Sequence, residues 1–126
     1  MTGVRTDSTR RRILLVEDNP LIRESFSRAI ERFAAQRTDV HFDLLTAEDG
    51  GTAWELLQLH EFDLVVTDLY IPVLSGIDLI ARMRETPRTQ AVRILAMSAS
   101  IEDARVRGQG SGLAIQHSQG GPAFPG

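Results

Sequence analysis

The feature that most constrains the fold of this chain is an alternation of short apolar runs with longer segments of helical period. Residues 13–16 (Ile-Leu-Leu-Val) and 64–67 (Leu-Val-Val-Thr) are nearly continuous apolar runs, as expected for strands buried on both faces. Phe42, Leu44 and Thr46 alternate and predict another strand, and residues 92–97 predict a fourth. Between them lie helical segments. Asn19 offers a cap and Pro20 a first helical position. Leu21, Ile22, Phe26, Ala29, Ile30 and Phe33 follow at helical spacing, so residues 20–36 should be a helix. Ala53, Leu56, Leu57 and His60 mark a short helix after Asp49-Gly50-Gly51, which reads as a turn. Ser75 can cap a helix through Ile77, Ile80, Ala81 and Met83, with Pro87 just beyond its end. Residues 101–107 could begin one more. Strand and helix in alternation imply right-handed crossovers and a parallel sheet with helices on both faces, an α/β fold.

The ends of the chain read differently. Residues 1–11 are polar and run into Arg10, Arg11 and Arg12, which predicts a disordered arm with a solvated charge cluster. Residues 108–126 hold six of the ten glycines, two of the five prolines and no charged residue, which predicts a flexible tail. The packed domain is therefore expected over residues 12–107. The net charge of −3 argues against a bulk-electrostatic nucleic-acid binder. The chain has no cysteine, so thiolate metal sites and cysteine nucleophiles are excluded. The longest apolar runs are four residues, too short to cross a bilayer, and the amino terminus has no signal-peptide core, so a cytoplasmic location without membrane contact is expected. His41, His60 and His117 are scattered, which disfavours a zinc site, and Trp54, Met83 and Met97 read as packing residues.

In parallel sheets of this kind the functional site lies beyond the carboxyl ends of the strands. Here the first strand runs into Glu17-Asp18, the third into Asp68 and the fourth into Ser98. If these strands are neighbours, three carboxylates share a crevice. Two charges about 4 Å apart at an effective dielectric near 20 repel by roughly 4 kcal/mol, so such a cluster must be relieved by water, a proton or a cation. An all-oxygen acidic site suits Mg²⁺, which keeps several of its waters and needs only one or two protein carboxylates. Solvated strand-end charges are the competing reading for any one of these residues; three together, each directly after an apolar strand, favour the cation site.

The segments ILLVEDNP (13–20), DLVVTDLYIPVLSGIDLI (63–80) and ILAMSAS (94–100) together resemble the receiver domain of bacterial two-component response regulators. The resemblance covers about residues 12–107. It implies a flavodoxin-like doubly wound sheet with strand order 2-1-3-4, an order that receivers themselves exemplify and that rests here on the resemblance alone. It also implies that Asp68 is the phosphoacceptor and Asp18 a direct Mg²⁺ ligand, with Glu17 acting on the metal mostly through water. The backbone carbonyl of Tyr70 becomes a further ligand and Ser98 the switch hydroxyl, while Pro72 and Gly76 match the loop after the acceptor. The implied partner is a sensor histidine kinase or a histidine phosphotransfer protein.

The chain departs from this pattern after Gly108. A receiver continues into a fifth strand ending in Lys-Pro and a fifth helix; here the corresponding residues, 116–122, contain no lysine, and all 14 basic residues of the chain are arginine. The fifth strand and last helix are therefore expected to be missing, leaving an unpaired apolar edge on the fourth strand. If any strand did form beside it, Leu113-Ala114-Ile115 is the stretch expected to form it. Loss of one hydrogen bond to a charged group should weaken the phosphorylated site roughly ten- to a hundredfold. The abrupt change near Gly108 suggests a truncation or shifted reading frame, with a natural tail as the alternative. Three functions follow in order: a non-enzymatic phosphoacceptor switch, an impaired receiver remnant, and a Mg²⁺-dependent aspartyl phosphohydrolase. The last is disfavoured because such enzymes usually place two aspartates one residue apart on a single strand end, a spacing that Glu17-Asp18-Asn19-Pro20 lacks.

Overall fold

The structure is a computed structural model and describes residues 9–98 and 114–118. The chain runs β1 (Arg10–Val16), α1 (Pro20–Ala35), β2 (His41–Ala47), α2 (Gly50–Leu59), β3 (Leu64–Asp68), α3 (Gly76–Glu85), β4 (Arg93–Ser98) and β5 (Ala114–Ser118). The sheet order is β2-β1-β3-β4-β5, with the first four strands parallel. Those four strands have the order and helix alternation expected of a flavodoxin-like receiver fold.

Strand alternation explains why the central runs are apolar throughout. Leu14, Val16, Val65, Ile94 and Ala96 face α2 and α3, where they pack with Ala53, Leu57, Leu79 and Met83. Their neighbours Ile13, Leu15, Val66 and Met97 form the core of the opposite face, against Phe26 and Ile30 of α1. Two of the helix starts carry the expected caps: Asn19 accepts from the N–H groups of Leu21 and Ile22, and Ser75 accepts from Asp78. Leu14 is wholly buried. Its replacement by alanine is expected to cost about 2–5 kcal/mol, readable as a lowered midpoint in urea denaturation.

Three expectations are corrected. The polar arm does not extend to residue 11: Arg10, Arg11 and Arg12 belong to β1, in register with His41, Phe42 and Asp43. The Arg10 guanidinium reaches both oxygens of Asp43 at 3.1 Å, and the Arg12 N–H donates to Asp63 at 2.8 Å, so this segment is held by partners across the sheet. Gly50 and Gly51 do not form a separate turn; they are the first residues of α2, whose cap Asp49 accepts from Thr52 N–H at 2.7 Å.

The edge of the sheet also differs from the expectation. Among the described residues a receiver's parallel fifth strand is missing, as expected, yet the outer edge of β4 is not bare. Ala114–Ser118 pairs with it antiparallel, from Ser98 opposite Ala114 to Ile94 opposite Ser118. The pairing begins at a residue of the expected stretch but runs opposite to the family's strand. A parallel neighbour needs a crossover, usually a helix, whereas an antiparallel one needs only a reversal. The unpaired N–H and C=O groups of an edge strand supply the reason to pair. The expected helix at 101–107, the remainder of the tail and residues 1–8 lie outside the described residues.

Candidate active site

The carboxyl ends of β1 and β3 are adjacent because these strands pair in parallel, Val16 opposite Thr67. The chain past each end therefore brings Glu17, Asp18 and Asp68 into one cluster, with a carboxylate oxygen from each lying within 4.8 Å of the others. Their burial differs: Glu17 is 1% exposed and Asp68 5%, while Asp18 is exposed. The backbone holds them in place. Glu17 N–H donates to Ala47 O at 3.0 Å, and Leu69 N–H donates to Met97 O at 2.9 Å.

Within the cluster, Glu17 Oε2 accepts from Asn19 N–H at 2.9 Å, but the buried Oε1 has no hydrogen-bond partner. Tyr70 N–H donates to Asp68 Oδ1 at 3.0 Å, which ties the residue carrying the expected carbonyl ligand to the Asp68 carboxylate. Ser98 ends β4, one residue beyond Met97, the register partner of Asp68; its side chain lies outside what is described. The expected site residues thus converge on one end of the sheet. The all-oxygen donor set and the partnerless buried Oε1 fit a hard divalent cation such as Mg²⁺.

Sequence reasoning missed one support. Arg23, one turn into α1, donates to the Glu17 carbonyl at 2.8 Å and so braces the turn carrying the acidic pair. Its position one helical turn after the cap was the only available signal. Gly76, placed by the resemblance in the loop after Asp68, packs against the Asp68 backbone, where an added Cβ would fall 2.1 Å from Asp68 O. Only glycine allows α3 to start this close to the end of β3.

Burial pushes the Glu17 carboxyl up to about 8 from the ordinary 4.5. The Asn19 N–H opposes this by favouring the charged form, whereas the Asp68 charge and the neighbouring Asp18 and Asp68 carboxylates add to it. The folded value lies above the unfolded one, so the folded chain holds a proton that the unfolded chain releases. This contribution to stability is complete below about 4.5 and is lost as pH rises through about 8. In chelator, the urea midpoint of the metal-free protein should therefore fall across that window. Glu17→Gln should flatten the fall, and an equally steep fall in that variant would assign the effect elsewhere.

A response regulator receiver domain model matches residues 13–112. The chain is 31% identical over 101 residues to response regulator Rre1 of Synechocystis, covering 79% of this chain and 41% of that protein. It is 37% identical over 97 residues to the sensor histidine kinase AruS of Pseudomonas aeruginosa, covering 75% of this chain and 9% of that protein. The chain thus spans less than half the length of these curated relatives. Among solved structures, it is similar to the receiver domain of a Pseudomonas aeruginosa sensor histidine kinase with a magnesium ion in its active-site cleft. The identity there is 26% and the TM-score 0.60, over 76% of this chain and 74% of that one.

Proposed function

This chain belongs to the response regulator receiver domain family, and from that premise we propose that it is a phosphoacceptor switch that takes a phosphoryl group onto Asp68 from a phosphohistidine. The observation that carries the reading is the cluster of Glu17, Asp18 and Asp68 at the carboxyl ends of two paired parallel strands. Receivers are signalling domains, so a binding change, not turnover of a substrate, is the output.

Asp18 and Asp68, with the Tyr70 carbonyl, would hold Mg²⁺, and Glu17 would act on it mostly through water. When bound, the ion neutralises charge on the carboxylate and on the phosphoryl oxygens. A carboxylate oxygen of Asp68 then attacks phosphorus, the P–N bond to the donor imidazole breaks, and the imidazole nitrogen leaves with its electron pair and takes up a proton. Tyr70 N–H, bonded to Asp68 Oδ1, orients the carboxylate so that its other oxygen is the nucleophile. Ser98 would supply the hydroxyl that turns toward the phosphoryl group. A histidine kinase or histidine phosphotransfer protein is the proposed partner. The proposed location is the cytoplasm; among the described residues, no helix is long and apolar enough to cross a membrane.

The absence of lysine favours a second reading, an impaired receiver in which the phosphoryl group lacks one cationic contact. Acetyl phosphate with Mg²⁺ tests both without the cognate kinase. The switch reading expects a single labile adduct that requires the metal and is accompanied by a change in the exchange rates of backbone amides beyond the site. An adduct without that change supports the impaired receiver. No adduct with Mg²⁺ present contradicts the phosphoacceptor assignment.

A further inference from the structure

The loop from Asp68 to α3 contains one non-glycine residue with a positive φ, Val73 at 72°. Leu74 N–H donates to Pro72 O at 2.9 Å, closing a three-residue turn centred on Val73. That γ-turn hand is rare and strained, and a β-branched side chain is among the least suited to it. Val73 is 84% exposed, so burial in the core does not hold it there. Another element must keep the turn closed.

That element is the amino terminus of α2. Gly50 N–H donates to the same Pro72 carbonyl at 3.2 Å. The approach is so close that a Cβ on Gly50 would fall 1.7 Å from Leu74 O and 2.6 Å from Leu74 C, both backbone atoms. The loop is pinned further by Gly76 N–H to Leu69 O at 3.0 Å and by Tyr70 N–H to Asp68 Oδ1 at 3.0 Å. Tyr70 and the buried Ile71 lie between the Asp68 and Pro72 pins. A shift at Pro72 therefore has little chain over which to relax before it reaches Tyr70.

We propose that Gly50 is a positioning residue: by clamping the strained turn at Val73, it holds the Tyr70 backbone against Asp68 in the geometry that a divalent cation requires. The inference rests on the metal site proposed above. Gly50 acts on that site through Pro72 and the loop.

The test compares Gly50→Ala with Gly51→Ala. Both make the same chemical change in the first turn of α2. At Gly51, however, the added Cβ meets an exposed side-chain carbon, Val73 Cγ1, at 2.9 Å, and no loop backbone atom among its nearest neighbours. Calorimetric titration with Mg²⁺ on the folded variants should show affinity roughly tenfold weaker for Gly50→Ala and near wild type for Gly51→Ala. Adding Val73→Gly to Gly50→Ala should recover part of the loss, because a relaxed turn needs less clamping. Equal affinities in the two alanine variants, with only the melting temperature of Gly50→Ala lowered, would overturn the inference and leave Gly50 a packing residue. If Gly50→Ala does not fold, hydrogen exchange in the wild-type protein decides. Mg²⁺ should slow exchange of the Gly50 amide by reciprocity, and an unchanged rate with the metal bound overturns the clamp. A wild-type chain that binds no Mg²⁺ overturns the site reading and this inference together.

Discussion

Asp68→Asn is expected to abolish the acyl-phosphate adduct completely while leaving the fold intact. The asparagine keeps an Oδ1 to accept from Tyr70 N–H but has no anionic oxygen to attack phosphorus. It also removes one of three carboxylates that share a space within 4.8 Å. The variant should therefore melt at a higher temperature than the wild type in chelator, since a buried charge beside other carboxylates opposes folding. The paired outcome, loss of labelling with gain of stability, separates a functional carboxylate from a structural one. A structural aspartate at this position would give loss of both. Mass spectrometry after acetyl phosphate treatment and a thermal melt check the two halves.

Asp18→Asn should weaken Mg²⁺ binding by roughly a hundredfold or more, because changes that touch only the supports of a metal ligand already cost 10–100-fold. Asp18 is exposed, unlike Glu17 and Asp68, so its replacement removes a proposed ligand without opening a cavity. The melting temperature without metal should stay close to wild type, and the increase produced by Mg²⁺ should disappear. An undiminished Mg²⁺ affinity in this variant would remove Asp18 from the ligand set.

Much of the architecture was legible because burial on both faces writes a plain signal. The runs at 13–16 and 64–67 fit interior strands, and the arrangement of those strands follows from right-handed crossovers and the family resemblance. Asn19 and Ser75 announced their helices through capping. The acidic cluster was legible because each carboxylate directly follows or ends an apolar strand, and parallel pairing brings those ends together. What escaped depends on contacts distant in sequence. Arg10 and Arg11 read as a solvated arm because nothing local shows that the Asp43 carboxylate lies within reach of Arg10. Gly50 and Gly51 read as a turn because glycine is poor in helices, and only the proximity of the Leu74 carbonyl explains why Gly50 opens one. The strained turn at Val73 has no sequence signature, since valine is among the last residues expected at positive φ. The antiparallel direction of β5 was equally hidden, because its residues read as part of a flexible tail.

The cluster at the ends of β1 and β3 is proposed to direct a phosphoryl group to one carboxylate and no other. Borohydride reduction of protein treated with acetyl phosphate and Mg²⁺ converts an aspartyl phosphate to homoserine and so marks the acceptor permanently. Peptide sequencing by tandem mass spectrometry should find homoserine at position 68 alone, and none when the metal is omitted. Homoserine at position 18, its glutamate-derived counterpart at position 17, or an unmodified Asp68 in a sample that binds Mg²⁺ would contradict the account.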